Sequence, residues 1–142
     1  SLNKDGEVDS ILAEDLPAPT GLTVRDGQLF VSDRSLGKIL RIAQNGQRLS
    51  EPEIVAENLV SPEGFDFFGR KLVVIEADLG DVTMIDSSGD KSLLAKIPPG
   101  TQAASELQPP SQVFNGVAVD DNGNVYVPGE TNRALYKISN PF

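Results

Sequence analysis

No cysteine and no histidine occur in this chain of 142 residues. The first absence excludes disulfides and thiolate-held metals. The second removes the commonest general base and the imidazole ligand of zinc, copper and iron sites. A Ser-His-Asp triad is therefore closed to it, and hydrolysis is left with a carboxylate or a metal-activated water. Positive charge is also scarce: 12 Lys and Arg stand against 21 Asp and Glu, a formal net charge of -9. That balance argues against nucleic acid or an anionic membrane surface as partner, because both need clustered cations. It is compatible with a bound cation. No apolar run approaches a membrane span. Nucleophile elbows, phosphate-binding Gly-rich loops and Asn-x-Ser/Thr sites are missing too. The chain opens on Ser1 rather than Met; a removed export signal and an expression remnant both account for that, and a periplasmic or extracellular place is favoured over a cytoplasmic one.

What is present is a repeat. "ILAEDLPAPTGL" (11–22) and "IVAENLVSPEGF" (54–65) share Ile, Ala, Glu, Leu, Pro and Gly at a constant spacing of 43 residues. The match runs on without a gap: Leu29-Phe30-Val31 falls on Leu72-Val73-Val74, Asp33 on Glu76, Gly37 on Gly80 and Ile42 on Ile85. A third copy follows at "NGVAVDDNGNVYV" and "RALYKI", displaced by an insertion at 98–113 rich in Pro, Gln and Ser. The repeats span about 7–49, 50–92 and 93–142.

Within each copy, short runs of Val, Ile, Leu, Phe and Tyr are divided by "RDGQ", "QNGQ", "FFGR", "SSGD" and "DDNGN". Asp-Gly and Asn-Gly supply the positive φ that tight hairpins need. Four strands per copy are expected, in the first "SILA", "GLTV", "LFVS" and "KILRI", and no long helix. Four short strands per repeat of this length define an all-β fold, a β-propeller with three four-stranded blades. Lys38, Arg41, Arg133 and Lys137 fall on third strands, where a charged outer edge is expected.

"FNGVAVDDNGNVYVPGETNRALYKI" resembles the NHL-type repeat. "PTGLTVRDGQLFVSDRSLGKILRI" and "PEGFDFFGRKLVVIEADLGDVTMI" resemble blades of the six-bladed group that holds the gluconolactonase/regucalcin family, strictosidine synthase-like proteins and calcium-dependent phosphotriesterases. The resemblance implies a six-bladed ring with its site in the central channel, open to a small-molecule ligand. Three blades do not close such a ring. The chain begins with an outer-strand copy, "EVDSILAEDL", and ends after a third strand, "ALYKISNPF". A homodimer is therefore expected, two half-propellers each lending its opening strand to the other's third blade. A fragment of a longer propeller is the alternative.

Just before the innermost strand of each blade stand Thr20, Glu63 and Asn115. In the lactonase and phosphotriesterase relatives this place supplies Glu, Asn and Asp to a central calcium. The resemblance thus implies Glu63 and Asn115 as calcium ligands, with Thr20 a weaker match, and a dimer would present each twice. Calcium takes six to eight oxygen ligands, which suits carboxylates, amide carbonyls and water. No copy carries the family's Asp at this position. Asp33, Asp66 and Glu76 are the remaining candidates for a general base. Two functions follow: a metal-dependent lactonase or esterase, and a non-catalytic propeller that binds a ligand or a protein.

Overall fold

The computed structural model describes residues 4–98, 116–129 and 133–142. Among them, strands form three antiparallel sheets. The first joins β1 (Pro19–Arg25), β2 (Gln28–Asp33), β3 (Lys38–Gln44) and β4 (Gln47–Ala56) in chain order. The second joins β5 (Pro62–Phe68), β6 (Lys71–Glu76), β7 (Asp81–Ile85) and β8 (Lys91–Lys96) in the same way. The third has β9 (Ala118–Val119), β10 (Val125–Gly129) and β11 (Ala134–Ile138), three strands among the described residues. Hairpin turns close where the dipeptides mark them: Asp26-Gly27 has φ of 50° and 73°, and Asn45-Gly46 has 49° and 76°. Both residues at positive φ match the right-handed twist of the flanking strands.

The sheets stack as blades, and alternation along each strand gives every blade two apolar faces. Phe30, Ile39, Ala56 and Leu59 of the first blade pack against Phe65, Leu72, Val74 and Ile85 of the second. The other face of the second blade, Val73, Ile75, Ala77 and Val82, packs against Val125 and Val127 of the third. A one-residue period thus sends neighbours such as Val73 and Val74 into different interblade cores, and both are fully buried.

Sequence repeat and structural blade are out of phase by one strand. The strand that opens each repeat is the fourth strand of the preceding sheet, so "EIVA" closes the first blade as the end of β4. This corrects the expectation for "SILA". Residues 9–18 contain no strand, and Val8 alone forms a bridge. Among the described residues no sheet takes this segment up as a strand. Ala13 and Leu16 instead pack on Val31, Leu40 and Ile42, on the outward face of the first blade. The charged edge is corrected for Lys38 and Arg41, whereas Lys137 is exposed on β11, an edge strand among the described residues. β3 is covered by β4, and Arg41 pairs with Glu53 across that boundary at 2.6 Å. The insertion lies outside the described residues apart from the exposed Pro98.

The blades converge where the innermost strands meet. A Cβ on Gly21 would lie 2.5 Å from the Glu63 carbonyl oxygen, and one on Gly64 would lie 2.4 Å from Gly116 Cα. Both obstacles are backbone, which has no rotamer to give. Gly64→Ala is expected to destabilise the fold by about 1–3 kcal/mol, the usual range for overpacking a tight contact. Thermal melting should show the loss, while Ala at exposed Gly46, where strain is the only cost, gives a reference for the left-handed turn.

Candidate functional site

The positions singled out before each innermost strand lie at irregularities in the pairing of β1 and β5. The register with the next strand shifts between Pro19 and Gly21 in the first blade, and between Pro62 and Phe65 in the second. A bulge releases a residue from the ladder and re-aims its side chain. The inner strands wall a cleft of about 240 Å³ lined by Gly21, Leu22, Thr23, Gly64, Phe65, Asp66, Gly116 and Val117.

Thr20 and Glu63 point to different tasks. Thr20 is exposed, and its hydroxyl donates to the Pro62 carbonyl at 2.9 Å. Beside it, Ser32 donates to the Glu63 carbonyl at 2.6 Å and accepts from the Gly21 amide at 2.8 Å. These bonds fasten the first blade to the second at the axis. Glu63 is 6% exposed, and its carboxylate faces Arg34 Nη1 at 3.3 Å. The same guanidinium reaches Asp78 Oδ1 at 2.9 Å, and Asp78 in turn accepts from the Ser61 hydroxyl. That hydroxyl, then Arg34, hold the Asp78 carboxyl below the usual aspartate range. Asn115 lies outside the described residues. Among the described residues no three acidic side chains gather to hold a metal ion. Among the described residues, what this place offers a cation is the buried Glu63 carboxylate, already opposed by a guanidinium.

Arg34 is the group that sequence reading missed. The signal was available: the repeat sets Arg34 against Ala77, a cation where the next copy has a small residue, one position after the Asp33/Glu76 pair.

The three candidate bases are all engaged. Asp33 is fully buried and accepts from the Ala18 amide at 3.0 Å and the Leu36 amide at 2.9 Å. Glu76 does the same work in the second blade, accepting from the Val60 amide and the Thr83 hydroxyl, each at 2.7 Å. Each carboxylate ties the incoming linker to its own blade. Asp66 accepts from the Val119 amide at 2.9 Å and from the Phe67 amide at 2.8 Å, so it joins the second blade to the third. Farther out, Asp86 and Asp120 close the "DSSGD" and "DDNGN" turns. Hydrogen bonds led by Ser88 in one and Asn124 in the other hold both carboxyls below the ordinary range.

Sheets that stack around one line, each passing its outer strand on to the next sheet's inner strand, define part of a β-propeller. Residues 113–137 match the family described as Beta-propeller repeat. No curated protein matches the chain. Among solved structures, the fold is similar to a catalytically inactive virginiamycin B lyase from Staphylococcus aureus with quinupristin, at 12% identity and a TM-score of 0.57. That match covers 89% of this chain and 43% of the lyase chain. A streptogramin B lyase matches at 14% identity and a TM-score of 0.56, over 89% of this chain and 42% of that one. A chain of a nidogen/laminin complex matches at 17% and 0.51, over 84% and 47%. The chain spans less than half the length of these propeller proteins.

Two measurements check the site. Asp33→Ala leaves two part-buried amides without their acceptor, at up to about 1–3 kcal/mol each. Urea unfolding at fixed protein concentration should show a loss of about 2–5 kcal/mol. Asp78 works through pH. Its folded value lies below its unfolded one, so its contribution is present above the unfolded value and lost as pH falls through the folded value. Melting temperatures of wild type and Asp78→Asn should therefore differ at pH 6 and converge below about pH 4.

Proposed function

We propose that this chain is one half of a six-bladed propeller of the NHL-repeat group, closed by a second copy, and that the ring is a binding scaffold without hydrolytic chemistry. The observation that carries the second part is the engagement of Asp33, Asp66 and Glu76 by backbone amides and, for Glu76, a threonine hydroxyl. A general base must present an oxygen to its substrate; Asp33 and Glu76 are buried, and the oxygens of all three carboxylates accept bonds that hold the blades. The lyase neighbour with quinupristin is catalytically inactive with a histidine replaced by alanine. This chain has no histidine to carry such chemistry.

The ligand face of the scaffold is the end of the ring where linkers and second-to-third-strand turns meet. Arg34 and Asp78 are open to solvent there, among Leu36, Val60 and Leu79, each 42% exposed. Polar groups set within apolar ones make a surface suited to a small molecule. Ring closure is supported by the apolar end faces of the stack. Leu22 and Val24 on the first blade are 69% and 70% exposed, and Leu135 on the third is 71% exposed. Large apolar patches of this kind mark contact surfaces.

Light scattering is expected to find a species near twice 15.2 kDa. That species should cleave no lactone or ester above the buffer rate, with or without calcium. Calcium-dependent turnover abolished by Glu63→Gln would restore the metal-hydrolase reading, with Glu63 and Asn115 of both copies as ligands.

A further inference from the structure

We infer that the seam between two copies repeats the seam inside each copy, with Gly116 of one chain lying against Gly21 of the other. This rests on the ring-closure reading above and adds the contact surface to it.

Gly116 is the first observation. Gly21 and Gly64 occupy the same place in their blades, and each is glycine because the next blade's backbone comes within 2.5 Å of where a Cβ would stand. A Cβ on Gly116 meets nothing within 4 Å among the described residues. Its φ is not positive either. Among the described residues no neighbour calls for a glycine there. A following blade would.

The outward faces are the second observation. By the repeat, Leu22 and Val24 correspond to Phe65 and Phe67. In the second blade Phe65 is 3% exposed beneath the first blade, whereas Leu22 is 69% exposed. The first blade therefore presents the surface that a preceding blade covers. The third blade presents the surface that does the covering. Strand pairing sets Ile75 opposite Val82 in the second blade and Pro128 opposite Leu135 in the third. Ile75 and Val82 are fully buried against the third blade, but Leu135 is 71% exposed. The two end faces are thus the two halves of one interblade contact, and a second copy supplies both at once.

The opening segment fits the same geometry. Ala13 and Leu16 pack on the first blade's outward face at the positions of Ala56 and Leu59, which end the first blade's outer strand and lead into the second blade. They therefore lie on the face that the seam would bury.

The test is a concentration series by light scattering on the full chain. Gly116→Ala adds a methyl group that meets nothing among the described residues of its own chain, so its circular dichroism should match wild type. At the seam it meets backbone, and the dimer dissociation constant should rise roughly 100-fold. Leu135→Glu buries a charge in the same contact and should act in the same direction. A dimer left unmoved by both variants overturns the seam and leaves ring closure standing. A wild-type chain that is monomeric at every concentration overturns both.

Discussion

Everything in this half-ring depends on how closely two backbones approach at its axis. Blades are wedge-like, and their inner strands must come nearer to one another than side chains allow. Gly21 and Gly64 remove the side chain at that point. The space they free is filled by polar links between inner strands. Thr23 donates to the Phe65 carbonyl at 2.7 Å, and one blade further Asp66, at the equivalent position, accepts from the Val119 amide at 2.9 Å. Shape and hydrogen bonding are set by adjacent residues of one strand.

That arrangement explains why the carboxylates of this acidic chain do not gather. A chain with nine more acidic than basic groups has many places to build a cation site. Instead the buried acids are dispersed, each against a donor that satisfies it. Asp33 and Glu76 hold linkers, and Glu63 faces Arg34. Burying a carboxylate is costly unless it is paired or hydrogen-bonded. Each of these has partners in the fold itself.

Much of the architecture is legible in the sequence because a propeller is built from local signals. The 43-residue register, the Asp-Gly and Asn-Gly turns and the alternating apolar runs are all short-range features. They place the strands of the first two sheets almost where they are found. The phase of the blades is not local. Whether "EIVA" opens one blade or closes another depends on which sheet lies beside it, and "SILA", expected as an outer strand, forms no strand here. The site is harder still. Glu63 was visible because it interrupts a Pro-Gly pair, and it is indeed buried beside the axis. Its partner Arg34 lies 29 residues earlier in the chain, and no periodicity connects the two. Asp33, Asp66 and Glu76 look alike as candidates on paper. Only the hydrogen-bond network shows that their oxygens are already engaged.

The seams differ in a way that bears on assembly. Within the chain, the position after the first apolar residue of each inner strand carries a polar clamp, Thr23 and then Asp66. In the third blade that position is Ala118, which pairs with Tyr126 and has only a methyl group to offer the next blade. The backbone approach at Gly116 can repeat there, but this side-chain hydrogen bond cannot, and what the face offers is apolar contact. Apolar contact is non-directional and roughly proportional to area, so it tolerates a small rotation of one half against the other. The two internal seams therefore hold their blades in one orientation.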